Sequence, residues 1–178
     1  MMKIRLKGDI YPELHNKVPV FLYVKYKLML GELDELQTDA LLKQQVTGRI
    51  ACHANGVTYI VPVNYVYDGN CIYGHSSNGK KIEMMRKNPE VCFEVDEIKT
   101  IFRWQSAIAW GKFEEVTDMA ERQRIMQALI HRIMPFSESP DNHPSHGIAE
   151  NENYIGTDIE LIVYKIVLTK KTGRFERN

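Results

Sequence analysis

The chain has 178 residues, the length of one domain, and can bury a core without disulfides or a structural metal. Its 23 basic and 23 acidic side chains cancel, so no overall field favours nucleic acid or an anionic membrane, and any anion site must be local. The three cysteines lack paired metal spacing and no apolar run reaches the roughly 20 residues of a membrane span, so we expect a cytoplasmic protein with no metal, nucleic-acid or membrane partner.

The chain begins with a segment of unknown role, followed by a short helix. We interpret residues 1–31, with their basic residues and prolines, as an extension that packs on the main domain, residues 32–178. From Glu32 to Gln45, apolar residues recur at helical spacing, and Gly48 follows as a stop; they are Leu33, Leu36, Ala40 and Leu41. This pattern predicts an amphipathic helix, after which a β-barrel begins.

Two turn dipeptides then predict consecutive β-hairpins. Asn55-Gly56 and Asp68-Gly69 each tolerate positive φ and are flanked by β-branched and aromatic residues. In the strand between them, Pro62 cannot donate a ladder hydrogen bond, so the strand should be bulged or unpaired on one side. Such irregular places often admit a ligand, and Asn64 stands beside this one.

The third strand runs from Cys71 to His75 and meets a candidate phosphate-binding turn. Hydroxyls, a glycine and two cations follow one another in Ser76, Ser77, Asn78, Gly79, Lys80 and Lys81, just before an apolar helical pattern. Such groups satisfy a phosphate dianion. A polar loop with solvated lysines is the alternative interpretation. His75 is a candidate proton donor or cofactor contact, and a structural role for it stays open.

The second half of the chain predicts the remaining barrel strands and a helix. Trp104, Gln105 and Ser106 open a strand with a flat aromatic and two hydrogen-bonding side chains, able to cover a planar ring, although a Trp that anchors the barrel is equally common. Asp118 and Glu121 have the spacing of a capping box before an apolar stripe, which predicts a helix. Residues 137–153 have the composition of a long surface loop, and the apolar run at residues 159–168 predicts a closing strand.

These segments resemble the FMN-binding split-barrel proteins of the pyridoxamine 5′-phosphate oxidase-like superfamily, most closely its nitroimidazole-resistance-like branch. The resemblance covers roughly residues 33–170 and rests on residues 48–97 and 104–116. It implies a mainly β fold with flanking helices, a six-stranded antiparallel Greek-key split barrel. It also implies a homodimer with FMN at the interface and a small-molecule electron acceptor.

The resemblance further implies roles for particular residues. His75 is the candidate catalytic residue of this branch. The implied cofactor-binding residues lie along the second strand, at the phosphate turn and, from the partner subunit, at the start of the later strand: Tyr59, Val61, Pro62, Val63, Asn64, His75, Ser76, Ser77, Lys80, Lys81, Trp104, Gln105 and Ser106.

One departure from the family pattern bears on the reaction. The chain ends in Lys171-Thr172-Gly173-Arg174-Phe175-Glu176-Arg177 and lacks the Arg-Leu-His-Asp-Arg type segment with which true oxidases bind pyridoxamine phosphate. Vitamin B6 oxidation is therefore not the expected activity. We expect an FMN-dependent oxidoreductase of the nitroreductase or flavin-reductase type; the alternative is a split-barrel protein that binds flavin or haem without turnover.

Overall fold

The computed structural model describes residues 29–136 and 161–177; the predicted loop at 137–153 and nearly all of the predicted extension lie outside them. Three helices are present in these ranges, α1 (Glu35–Gln44), α2 (Lys80–Lys87) and α3 (Met119–Ile133), with a 3-10 turn at Met134–Phe136. The strands are β1 (Met29–Leu33), β2 (Thr47–Ala54), β3 (Val57–Asn64), β4 (Val66–Tyr67), β5 (Cys71–Ser77), β6 (Glu90–Thr100), β7 (Arg103–Glu115) and β8 (Leu161–Arg177). The predicted class, mainly β with flanking helices, is confirmed.

All strands belong to one antiparallel sheet in the order β3-β2-β6-β7-β8-β5-β4, with β1 paired to the far end of β8. The described residues thus form an eight-stranded sheet, whereas the sequence predicted six strands. One additional strand is β1, which begins inside the predicted extension and pairs with β8. The other is β4, a two-residue strand that pairs with β5 instead of continuing β3.

The chain leaves β3 at Tyr65, which separates β3 from β4. The Tyr65 side chain is fully buried, its hydroxyl donates to the Leu42 carbonyl at 2.6 Å, and its ring meets Phe93 edge-on at 4.8 Å. Its backbone N–H donates to the Val46 carbonyl at 3.2 Å. These contacts anchor the end of β3 to the barrel interior.

The first predicted hairpin is confirmed in detail, and the second differs in its turn. Asn55 and Gly56 both have positive φ, 53° and 76°, and join β2 to β3 in continuous register. At the second turn Gly69 has positive φ, 109°, while the Asp68 carboxylate accepts from the N–H groups of Asn70 and Cys71 at 2.9 and 2.7 Å. A side-chain cap therefore shapes the second turn.

Helix α1 begins later than predicted and buries a different face. Asp34 caps it reciprocally with Gln37, so Leu33 ends β1 and lies outside the helix. Leu36 is 81% exposed, whereas Thr38, Leu41 and Leu42 are buried. A polar residue took the inward position because the Thr38 hydroxyl donates to the Asp34 carbonyl at 2.8 Å.

Two apolar clusters hold these elements together. The larger fills the barrel with side chains from the strands, α1 and α2, including the predicted inward residues Ile82 and Met85. The smaller lies between α3 and the outer face of β5 and β8, and includes Leu129, Tyr73 and Val163. Within the described ranges, no helix is long and apolar enough to cross a membrane.

Candidate functional site

A cavity of about 440 Å³ lies where β3 and β5 end and α2 begins. This volume falls in the ~300–1,000 Å³ range of small-ligand pockets. Most of the residues that line it have polar side chains, and one is a cation: Thr47, Pro62, Val63, Asn64, His75, Ser76, Ser77 and Lys81. The sequence-predicted segments at Pro62–Asn64 and at His75–Lys81 are therefore brought together, although they are separated along the chain.

The β3 wall of this cavity is a sheet edge. In the described residues β3 pairs only with β2, so Pro62, opposite Arg49, needs no ladder N–H on its other side. This matches the predicted one-sided pairing; the register to β2 is continuous and contains no bulge. Val63 points into the core, while Pro62 and Asn64 are exposed beside the cavity. The outer face of β3 is open in the single chain.

The turn between β5 and α2 supplies hydrogen-bond donors to the opposite wall. The Ser76 hydroxyl donates to the Ser77 carbonyl at 2.8 Å, and Gly79 caps α2 without a side-chain hydrogen bond. The first N–H groups of a helix have no carbonyl partner within the helix, and the positive end of its dipole favours an anion. Arg86 holds the turn in place. Its guanidinium donates to Asn78 Oδ1 at 3.1 Å and pairs with the Glu115 carboxylate at 2.6 Å.

The two adjacent lysines occupy different environments. Lys81 lines the cavity, half-buried, with its ammonium 6.0 Å from the centre of the Tyr164 ring. Burial lowers the pKa of Lys81, because a desolvated ammonium is less stable than a hydrated one. Lys80 is exposed and its ammonium lies 4.7 Å from the centre of the Tyr59 ring. Lys81 is thus the cation directed at the cavity, and Lys80 lies outside its lining.

Several predicted site residues lie elsewhere in the single chain. Tyr59 and Val61 are half-buried and pack against the barrel core. Trp104, Gln105 and Ser106 lie on β7 between β6 and β8, and the first two line a separate cavity of about 420 Å³. The Trp104 indole N–H donates to Glu176 at 2.8 Å, and the Gln105 amide donates to Glu97 at 2.8 Å.

Thr47 lines the cavity and was missed by the sequence interpretation. Its hydroxyl donates to Asn64 Oδ1 at 2.9 Å across the β2–β3 pair. A signal for it existed, because the two-residue turn at Asn55-Gly56 fixes the register and places residue 47 opposite residue 64. Tracing that register from the turn would have added Thr47 to the candidate site.

The fold and the cavity define a class of protein: a split β-barrel with a ligand cavity at its β3 edge. Within the described ranges, no group of three or more His, Cys, Asp or Glu side chains could hold a metal ion. The cavity lining instead combines hydroxyls, an amide and one ammonium group, the donor types that bind phosphorylated small molecules.

Comparisons with known proteins place this class within a family. The sequence profile of the pyridoxamine 5′-phosphate oxidase family matches residues 34–166. An uncharacterized protein of Rhizobium meliloti is 37% identical over 126 residues, 71% of this chain and 82% of that protein. The chain therefore belongs to the pyridoxamine 5′-phosphate oxidase family, which confirms the resemblance drawn from its sequence.

Solved structures agree with this assignment. An FAD-binding protein of Mesorhizobium loti superposes with a TM-score of 0.64 at 25% identity, covering 85% of this chain and 99% of that one. A candidate 5-nitroimidazole antibiotic resistance protein of Bacteroides thetaiotaomicron also gives a TM-score of 0.64, at 20% identity, covering 84% of this chain and 89% of that one. The second likeness shows a shared fold.

Proposed function

We propose that this protein binds FMN in the β3–α2 cavity and is a flavin-dependent oxidoreductase that reduces a small acceptor. The observation that carries the proposal is the meeting of an edge strand, at Pro62–Asn64, with the end of β5 and the start of α2, which bear Ser76, Ser77 and a half-buried Lys81. An edge strand offers a flat wall to a planar ring, and the turn offers donors and one positive charge to a phosphate. The FAD-binding protein from Mesorhizobium loti supports a flavin as the cofactor; the choice of FMN follows from the family resemblance.

The chain's own residues have distinct tasks in this proposal. Bound FMN would supply the electron transfer itself. Lys81 pairs with the phosphate and the Ser77 hydroxyl donates to its oxygens, as does the Ser76 hydroxyl when it turns from the Ser77 carbonyl to the ligand. His75, on the cavity wall, holds a proton at a ring nitrogen and donates it to the anion that develops on the reduced acceptor.

Vitamin B6 oxidation is not part of the proposal. The chain lacks the Arg-Leu-His-Asp-Arg type segment with which true oxidases bind pyridoxamine phosphate. Residues 173–176 of its C-terminal strand pair with both β1 and β7. Arg174 is exposed and paired with Glu32 at 3.3 Å. A cytoplasmic location fits the three cysteines, Cys52, Cys71 and Cys92, all of which are free thiols.

The proposed assembly is a homodimer in which the partner subunit's copy of Trp104–Ser106 covers the flavin ring. Within one chain these residues lie at a different cavity from the phosphate turn, so an arrangement across two subunits would give them access to the ligand. Subunit mixing tests this directly. Lys81→Met and Trp104→Leu proteins should each bind FMN weakly. In an equimolar mixture half of the dimers are mixed and each has one intact site, so the mixture should regain about one quarter of the wild-type sites. No recovery after denaturation and joint refolding would contradict the shared site.

The main test is a spectrum of the freshly purified protein followed by mass analysis of the small molecule released by heat. A flavin absorbs near ~370 and ~450 nm, and haem gives an intense Soret band instead. Oxidation of reduced nicotinamide that depends on an added nitroaromatic acceptor would establish turnover. A flavin-loaded protein without such turnover would favour the alternative in which the protein binds flavin without catalysis. A protein that takes up no flavin would refute the proposal.

A further inference from the structure

We infer that Thr47 is a positioning residue that orients the Asn64 amide so that its Nδ2 donates to the ring edge of the bound flavin. The inference rests on the proposed function and adds a contact to it. Both side chains line the β3–α2 cavity, and the Thr47 hydroxyl donates to Asn64 Oδ1 at 2.9 Å.

The direction of this hydrogen bond decides the character of the cavity wall. An amide has one acceptor end and one donor end, and a free amide can present either to a ligand. With Oδ1 engaged by Thr47, the N–H donors at Nδ2 remain for the ligand. Pro62, the neighbouring wall residue two positions earlier, has no backbone N–H to contribute. The side-chain amide of Asn64 is therefore a donor that this part of the wall offers to a carbonyl oxygen or imine nitrogen of a planar ring.

The backbone beneath this pair is fixed before any ligand arrives. Thr47 and Asn64 are directly opposite in the β2–β3 ladder. The next residue, Tyr65, is fully buried and bonded to the carbonyls of Val46 and Leu42. Pre-ordered donors bind more tightly than mobile ones because the ordering entropy is already lost. A ring that covers the pair also removes competing water, which strengthens the Thr47–Asn64 hydrogen bond.

The two halves of the cavity should consequently recognise different parts of the ligand. Lys81 faces the phosphate, and its removal should weaken FMN but not riboflavin, which has no phosphate. The Thr47–Asn64 pair faces the ring, so its removal should weaken both ligands by the same factor. This difference separates a ring contact from a general loosening of the phosphate turn.

The experiment measures FMN and riboflavin affinities of the full chain and its variants. Thr47→Val keeps the shape and suits a strand, and we expect it to weaken both ligands by about three- to tenfold, the usual worth of a neutral hydrogen bond. Thr47→Ser should restore the affinity, while Asn64→Asp should weaken both ligands further. Thr58→Val is the matched control, since Thr58 is an exposed threonine of the same hairpin, bonded to His53 at 3.1 Å and away from the cavity.

The reduction potential of bound flavin gives a readout that a purely structural role would not move. A donor at the ring edge stabilises the electron-rich reduced ring more than the oxidised ring, so Thr47→Val should lower the potential. If the variant loses ten times more affinity for reduced flavin than for oxidised flavin, the reduction potential falls by about 29.6 mV for a two-electron couple.

The possible failures are distinguishable. A wild-type chain that binds neither ligand overturns the proposed function and this assignment with it. Two outcomes overturn the assignment and leave the proposed function standing, provided that the wild type binds flavin. In the first, Thr47→Val matches the wild type in affinity and in reduction potential; in the second, it loses affinity for FMN but not for riboflavin.

Discussion

Replacing each lysine of the phosphate turn by methionine should have very different effects. Lys81→Met removes a half-buried ammonium from the cavity wall, and Lys80→Met removes an exposed one that lies over Tyr59. Methionine keeps the length and apolar stem of lysine, so each variant tests the charge. Each lysine variant is a matched control for the other, because the two residues are adjacent in the first turn of α2.

The magnitudes follow from the two environments. A charge-assisted hydrogen bond in a shielded site contributes ~1.5–3 kcal/mol, so Lys81→Met should weaken FMN about 10- to 140-fold. An exposed charge that is screened by water contributes ~0.2–1 kcal/mol, so Lys80→Met should cost less than about fivefold. Riboflavin should bind both variants as it binds the wild type. Burial lowers the pKa of Lys81, so its ammonium group loses its proton at a lower pH than an ordinary lysine does. FMN affinity should therefore decrease as the pH rises, before the pH reaches the range in which an ordinary lysine titrates.

Titration calorimetry with FMN and riboflavin, across a pH series, measures these affinities. Equal losses for the two lysine variants would show that the phosphate lies outside the cavity, within reach of both side chains. A loss of riboflavin affinity as large as that of FMN in Lys81→Met would show that Lys81 supports the fold of the site and does not contact the phosphate.

Three further predictions address catalysis and stability. His75→Ala should keep FMN and lose about 10²- to 10⁴-fold in turnover of a nitroaromatic acceptor, the usual contribution of a positioned proton donor; unchanged turnover would exclude that role. Gly74→Ala should destabilise the fold by about 1–3 kcal/mol in urea unfolding, because the new Cβ would lie 2.6 Å from the buried Tyr164 hydroxyl. Gly79→Ala meets no atom within 4 Å and should cost less than about 1 kcal/mol, the difference between glycine and alanine at a helix N-cap. Asp39→Asn should destabilise the protein by ~1.5–3 kcal/mol at pH 7, measured in the same way, and the deficit should shrink in acid.

The acid dependence of Asp39 follows from its partners. Burial alone would raise its pKa, but hydrogen bonds from Lys171, at 2.6 Å, and from Tyr67, at 2.8 Å, hold the pKa below its ordinary value of 3.8. Its folded-state pKa is depressed, so its stabilisation is present above pH 3.8 and is lost as the pH falls through the lowered pKa. A deficit of constant size down to pH 2 would show that the carboxylate charge contributes little.

The sequence predicted local features well where one residue type dictates one backbone conformation. Asn55-Gly56 set the first hairpin and its register, and Pro62 marked a strand with one unpaired edge. The faces of α1 were harder to predict, because Leu36 is exposed while Thr38 is buried by a hydrogen bond to its own helix start. The spacing of apolar residues does not predict a buried polar residue whose side chain forms a hydrogen bond with the backbone of its own helix.

Side-chain directions within the site were the other limit of the sequence. Lys80 and Lys81 look equivalent in a basic pair, yet consecutive helical residues point about 100° apart, and one faces the cavity while the other lies over Tyr59. Thr47 was missed because its partner Asn64 is 17 residues away along the chain and becomes a neighbour only through strand pairing. The placement of Trp104 at a second cavity depends on the long-range pairing of β7 with β8, in which Trp104 lies opposite Glu176.

The exposed outer face of β3 leads to a last prediction, that a partner covers this side of the cavity. Ile60 is 61% exposed and lies on the same face of β3 as Pro62. A bound ligand of this size normally loses 70–90% of its surface to protein, and a ring resting on Pro62 in a single chain would keep one face in water. Apolar residues beside a half-formed cavity are typical of a surface that a partner covers.

If a second copy supplies the missing wall, flavin affinity must depend on protein concentration. Dilution below the dimer dissociation constant should release flavin, with the fluorescence of free flavin rising as light scattering reports monomers. Ile60→Lys should shift both transitions to higher protein concentration together, because it places a charge on the open face of β3 without touching the residues that line the cavity. Flavin that stays bound to monomers with undiminished affinity would show that one chain builds the whole site.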